Sequence, residues 1–345
     1  MRTFRTGLLI GLAVAVLVAA GAIAYDRYDT RTLKRITRRG ELLCGVNTGL
    51  PGFSMPDDKG NWSGFDVDFC RALSAAIFDD PNKVKFIPLD ASERFKELRD
   101  RKIDVLSRNS TWTISREAEF RLHFAGVSYY DGQGFMVRKK RNVDSALGLD
   151  GSKVCVQTNT TTELNLSDYF NANHMKFEVA KFTKLDDMLK AYEDNKCDTV
   201  TSDVSQLYAQ RLKLANAGDH VILPEVISKD PFAPVVRHRD DQWQMIVKWT
   251  LFAMLNAEEL GVTSKNIGEA LKSNKPEVKR LVGTEDNYGD DIGLTRDWAA
   301  RIIRHVGNYG EVYDRNLGDG SKLGIPRGLN QLWTAGGIQY APPVR

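Results

Sequence analysis

The sequence predicts an α/β protein built as two similar lobes, and three observations carry that prediction. The chain has 345 residues, more than the roughly 250 to 300 at which a single core stops growing. Short runs rich in Val, Ile and Leu alternate with helical patterns, and the alternation occurs twice. A local echo supports the repeat: Asp100-Arg101-Lys102-Ile103-Asp104 and Asp194-Asn195-Lys196-Cys197-Asp198 share D-x-K-x-D at the same place in the element order.

In the first half LLCGV, from Leu42, reads as a strand and DVDFCRALSAAIF, from Asp66, as a helix. KVKFIPL follows as strand, SERFKELRDR as helix and IDVLS as strand. This order implies parallel βαβ units. KVCVQ, TTELNLSDYFNAN, FEVAKF, KLDDMLKAYEDN and CDTVTSD repeat it in the second half. A Pro-flanked extended stretch then runs from Asp230 to Arg237, followed by an amphipathic helix from about Asp241 to Leu260. If the chain enters the second lobe near Gly134 to Val137 and leaves through Phe232 to Val236, two crossover strands form a hinge. Residues 39–134 are then the first part of lobe 1, 135–231 are lobe 2, and 232–345 complete lobe 1 with a C-terminal extension.

Ligands of open α/β sheets bind outside the carboxyl ends of the strands. In the first half the third strand empties into SRNSTWTISR, which offers Arg108, Asn109, Ser110, Thr111, Thr113 and Arg116. In the second half the first strand leads to Asn159-Thr160-Thr161-Thr162, and the third ends in Thr201-Ser202-Asp203. One lobe offers a cation and the other an anion, with hydroxyls and helix-start N–H groups beside both. A zwitterion satisfies that pair, its carboxylate on Arg116 and its ammonium on Asp203. The bland alternatives are a surface Arg116 paired with a neighbouring Glu, an Asp203 that only caps the next helix, and a Phe53 that is core.

Composition narrows the class. The chain is 42% hydrophobic and 27% charged with net charge +3, close to an average globular protein and without the basic footprint of a nucleic-acid binder. The five His show no i, i+4 pair, and neither G-x-S-x-G nor a phosphate-binding P-loop is present, so no metal, cofactor or catalytic role is expected. Residues 1–24 combine Arg2 and Arg5 with an apolar run and a small-x-small exit at Ala22-Ile23-Ala24. That is the pattern of an export signal cleaved after Ala24, with an uncleaved anchor as the alternative. Export would expose Cys44, Cys70, Cys155 and Cys197 to oxidising conditions, and two disulfides are expected. Their connectivity stays open; pairing Cys44 with Cys70 and Cys155 with Cys197 keeps each bridge within one half.

GFDVDFCRAL at Gly64 to Leu73, T-x-T-x-x-R at Thr111 to Arg116, N-T-T-T at 159–162 and D-x-x-x-S-D at 198–203 resemble the periplasmic solute-binding proteins of polar amino-acid ABC transporters. The tail, IPRGLNQLWTAGGIQYAPP, resembles the general L-amino-acid binders of the Aap/Bzt group in particular. The resemblance implies the two-lobed periplasmic-binding-protein fold and an L-amino acid captured by lobe closure. Delivery would be to transmembrane permease subunits driven by a separate ATPase, from a protein that is a monomer and not an enzyme. It also implies that Arg116 holds the α-carboxylate with help from Thr111, Thr161 and backbone near Asn109, that Asp203 holds the α-ammonium, and that Thr160 belongs to the same turn. Many relatives place an aromatic where LPGF here offers Leu50 and Phe53, which suits broad, acidic or amide ligands, and Arg108 is then a candidate reader of a side-chain carboxylate. The rival from another class is an exported enzyme on the same scaffold, such as an amino-acid-like dehydratase.

Overall fold

The computed structural model describes residues 32–345, in which the two sequence halves form two five-stranded sheets. The expected export segment, 1–24, lies outside the described residues. In lobe 1 the strand order is β4 (Val84–Leu89), β1 (Leu42–Asn47), β5 (Val105–Leu106), β14 (Val235–Arg237) and β6 (Leu122–Phe124). In lobe 2 it is β10 (Phe177–Phe182), β9 (Ser152–Gln157), β11 (Thr199–Asp203), β8 (Gln133–Arg138) and β12 (His220–Ile222). β1 pairs in parallel with β4 and β5, and β9 in parallel with β10 and β11, as the βαβ pattern requires. A small hairpin, β2 (Met55–Pro56) with β3 (Trp62–Ser63), precedes the first long helix, Phe65–Phe78.

The chain passes between lobes on a two-stranded ribbon, β7 (Tyr129–Asp131) paired antiparallel with β13 (Asp230–Phe232). Of the two stretches expected to cross, the exit, Phe232 to Val236, begins on the ribbon at Phe232 and enters the lobe 1 sheet at Val235. The entry, Gly134 to Val137, lies just outside it and pairs in full with β11. The crossing segments are a few residues closer to the ribbon than apolarity alone indicates.

The D-x-K-x-D echo has one structural meaning in both lobes. Arg101 and Asn195 both take the left-handed conformation, with φ of 63° and 58°. The following Asp then pins the first strand of its sheet. Asp104 donates its N–H to Leu43 O at 2.8 Å and accepts from Leu43 N at 2.9 Å, while Asp198 does the same with Lys153, at 2.8 Å each way. Each carboxylate also takes an arginine, Arg39 or Arg141.

Both disulfides lie within a lobe. Cys44 on β1 joins Cys70 on the first long helix, with Cα atoms 6.3 Å apart, and Cys155 on β9 joins Cys197, with Cα atoms 5.7 Å apart. The C-terminal region packs helices Pro276–Val282, Trp298–His305 and Tyr309–Asn316 against Asp241–Glu259. Its last stretch reaches the crossover ribbon. Asn330 accepts from Tyr130 N at 2.7 Å and donates to Tyr130 O at 3.0 Å, filling the edge of β7 that β13 leaves open. Tyr309 and Gln339 both donate to Ser128 O, at 2.8 and 3.3 Å.

Candidate ligand-binding site

Strand ends and helix starts from both lobes converge on a cavity of about 20 Å³ lined by Arg94, Arg108, Asn109, Thr111, Arg116, Gln157, Thr160, Thr161, Thr162, Asp203 and Gln206. Room for a water or so remains, so the two lobes are closed on each other. Asn109 Nδ2 donates across the interface to Gln206 Oε1 at 3.3 Å, Thr111 and Thr161 approach to 3.4 Å, and Lys213 reaches Gly49 O at 2.8 Å.

On the lobe 1 side the loop after β5 is held from behind. Asp66, the first Asp of GFDVD, accepts from Asn109 N at 3.0 Å and from Ser107 Oγ at 3.2 Å, which fixes Asn109 in its left-handed turn, φ 24°. Burial raises the Asp66 carboxyl to about 6. Arg108 is buried and spends its Nε on Leu89 O at 2.9 Å, and burial brings its guanidinium down to about 10. Thr113 Oγ1 accepts from Arg116 N at 3.3 Å and so caps the helix Ile114–Phe120. That cap turns Arg116 inward, where Nη1 donates to Thr111 O at 2.8 Å and the guanidinium lies 5.3 Å from the Phe95 ring centroid. Only 8% of Arg116 is exposed. Burial lowers its pKa, and the facing Asp203 and Asp230 oppose that shift.

On the lobe 2 side Thr160 accepts from Glu163 N at 3.4 Å and caps the helix Thr161–Ala172, whose first-turn N–H groups have no acceptor within the helix. Asp203 ends β11 at the cap position of helix Val204–Arg211, yet its side chain makes no capping bond. Asp131 takes over that task, accepting from Ser205 N at 3.2 Å and from Ser205 Oγ. Asp203 is thereby left 7% exposed, with no partner for its buried Oδ1. Burial, reinforced by Asp230 and Asp131, holds its pKa well above the usual carboxylate range, against Arg116 and Arg94. A polar group buried without a partner costs about 1 to 3 kcal/mol, so such an atom is a strong pointer to a donor from outside the chain.

The structure brings Arg108, Asn109, Thr111, Arg116, Thr160, Thr161 and Asp203 of the sequence-derived set to one cavity. It does not bring Leu50 and Phe53. Both are 1% exposed, and Phe53 packs edge-on against Phe65, Tyr129 and Phe232, so the apolar LPGF loop is spent on the lobe 1 core beneath the crossover ribbon. Sequence reasoning missed Arg94, Gln157 and Gln206. Arg94 is 3% exposed, lies 4.9 Å from the Phe95 ring centroid, and its Nε has no hydrogen-bond partner. Burial, with Arg108 and Arg116 close by, lowers its pKa well below the usual guanidinium value. Arg94 follows Glu93 in an ordinary amphipathic pattern, and its one signal was its place at the carboxyl end of β4. Among the described residues no group of three or more His, Cys, Asp or Glu is arranged to hold a metal.

Residues 42–266 match the bacterial extracellular solute-binding proteins, family 3. The chain belongs to that family. This solute-binding protein is 53% identical over 336 residues to the general L-amino acid-binding periplasmic protein AapJ of Rhizobium johnstonii, covering 97% of this chain and 98% of the relative. It is 48% identical over 335 residues to the glutamate/glutamine/aspartate/asparagine-binding protein BztA of Rhodobacter capsulatus, covering 97% of each. A solved periplasmic binding protein from Brucella ovis with glutathione bound superposes with a TM-score of 0.91 at 54% identity, over 92% of this chain and all of that one. The two-lobed fold of this solute-binding protein, including most of the C-terminal region after residue 266, is therefore shared with that solved relative.

Proposed function

We propose that this protein is the substrate-binding component of an ABC importer, that it captures L-amino acids by closure of its two lobes about the β7–β13 ribbon, and that it hands them to a membrane permease driven by an ATPase. One observation carries the reading: a buried cation and a buried anion, Arg116 and Asp203, face one interlobe cavity from opposite lobes, and Asp203 Oδ1 has no partner among the described residues. An α-carboxylate pairs with Arg116 and the open N–H groups at the start of helix Thr161–Ala172, and an α-ammonium pairs with Asp203. The names of the relatives support the same reading, AapJ as a general L-amino acid-binding periplasmic protein and BztA as a glutamate/glutamine/aspartate/asparagine-binding protein, and the first supports a periplasmic location.

Two further buried arginines line the cavity. Arg108 keeps donors free beyond its bond to Leu89 O, and Arg94 has no hydrogen-bonded partner at Nε, so a second carboxylate or an amide oxygen on the ligand is favoured there. Calorimetric titration with L-glutamate, L-glutamine, L-leucine, L-arginine and D-glutamate tests the function. Binding of several L-forms is expected, with Arg116→Ala or Asp203→Ala weakening all of them by about 2 to 5 kcal/mol. Near-normal affinity in either variant overturns the site. The exported-enzyme alternative is tested by analysing each mixture for product after prolonged incubation. It predicts conversion; the binding reading predicts recovery of the ligand unchanged.

A further inference from the structure

Asp230 does not line the cavity, yet it holds two of the hydroxyls that do. It sits on the crossover strand β13, 1% exposed, and its Oδ1 accepts from Thr111 of lobe 1 at 3.0 Å and from Thr161 of lobe 2 at 3.1 Å. Its Oδ2 accepts from Ser228. A hydroxyl has one proton to give, and an ionised carboxylate can only accept. Thr111 and Thr161 have therefore already spent their protons on Asp230, and what they turn toward a ligand is lone pairs. The resemblance has Thr111 and Thr161 help hold the ligand carboxylate; hydroxyl oxygens that have spent their protons repel a carboxylate and attract an ammonium, so any such help does not come from the hydroxyls.

Resting on the amino-acid reading above, we propose that Asp230 is a positioning residue that sets the ligand class by fixing the hydroxyl rotors. It converts Thr111 and Thr161 into obligate acceptors. With Asp203 Oδ1 they present three acceptors, the number of N–H donors on a primary ammonium. The site is thereby tuned to a protonated primary amine and against a ligand with a hydroxyl or nothing at that carbon. Because the two threonines come from different lobes, the same carboxylate assembles this acceptor set only on closure.

The test uses the full mature protein with L-glutamate and L-2-hydroxyglutarate, the latter measured by displacement of bound glutamate. In Asp230→Ala the threonine hydroxyls are free to turn. Glutamate affinity is expected to fall by about 10- to 100-fold, the scale of one or two charge-assisted hydrogen bonds. The hydroxy acid is expected to change by less than about threefold, since a freed hydroxyl can donate to it. Asp230→Asn, which keeps an acceptor, should retain more glutamate affinity than Asp230→Ala. In a Thr111→Val/Thr161→Val background the Asp230→Ala effect on glutamate should largely vanish, because its route is gone. Equal losses for both ligands, unchanged glutamate affinity, additive effects in the cycle, or the reverse order of Asn and Ala each overturn the proposal. Failure of the wild type to bind any amino acid would instead overturn the function proposed above.

Discussion

Arg94 makes the apo and bound states respond in opposite directions to one substitution. In the closed structure it is a buried guanidinium whose Nε has no hydrogen-bond partner among the described residues, with Arg108 and Arg116 opposing its charge and Asp203 favouring it. Leaving one buried polar group unsatisfied costs about 1 to 3 kcal/mol. Arg94→Met keeps much of the stem that packs beside Phe95 and removes that cost together with the repulsion from Arg108 and Arg116. The apo protein should therefore gain about 1 to 3 kcal/mol, which scanning calorimetry reads as a rise in Tm of about 2 to 4 °C per kcal/mol. Binding should change the other way. A ligand carboxylate that loses a desolvated cation loses about 2 to 5 kcal/mol, so glutamate affinity should drop by roughly 30-fold to several thousand-fold. Leucine, with no side-chain carboxylate to offer Arg94, should bind within about threefold of wild type. A lower apo Tm would refute the reasoning, because Arg94 would then be structurally paired. So would equal losses for glutamate and leucine.

Three further outcomes are expected. Asp66, Asp131 and Asp203 have folded pKa values raised by burial, the first two to about 6 and about 7, so the folded state holds more protons than the unfolded one above about pH 4. The contribution of Asp66 and Asp131 to stability is full at and below about pH 4 and is lost as pH rises through about 6 and about 7, and a ligand ammonium that needs Asp203 ionised should release a proton on binding, visible as a buffer-dependent heat in calorimetry. Breaking Cys155–Cys197, with a sequence separation of 42, should cost about 4 kcal/mol, and Cys44–Cys70, with a separation of 26, about 3.5 kcal/mol, measured as denaturant midpoints of Cys→Ser pairs. Asn330→Ala leaves both main-chain groups of Tyr130 without their partner and should lower apo stability by about 1 to 3 kcal/mol, read by thermal melting.

The parts of the molecule set by local pattern were legible in the sequence. Alternating strand and helix periodicity placed all five elements of each βαβ run, and the D-x-K-x-D echo marked a turn and a strand anchor that recur in both lobes. Residues at strand ends, Asn109, Arg116 and Asp203 among them, were legible because topology sends those ends to one crevice. Arg94 was not, since only the tertiary packing of a short helix decides which side of it is buried. Asp131 and Asp230 were hidden for a related reason. They face each other at the end of the crossover ribbon and act through Ser205, Thr111 and Thr161, partners 69 to 119 residues away, with no sequence spacing to announce them. Phe53 pointed the other way: a loop aromatic near a strand end suggests a pocket wall, but the ring cluster with Tyr129 and Phe232 claimed it for the core.

The strand order also dictates a timetable for folding. Lobe 2 is a contiguous insertion, with β8, β9, β10, β11, β12 and the Cys155–Cys197 bridge all complete once residue 222 has emerged. Lobe 1 is not: β14 lies between β5 and β6, so its sheet stays split until the chain has returned across the ribbon. A chain emerging N-terminus first can finish its inserted lobe while the host lobe still waits for the interior strand β14, which arrives only after Phe232. Non-local pairing of that kind folds slowly. The late-closing lobe, rather than the inserted one, is where an interrupted synthesis would leave an exposed sheet edge.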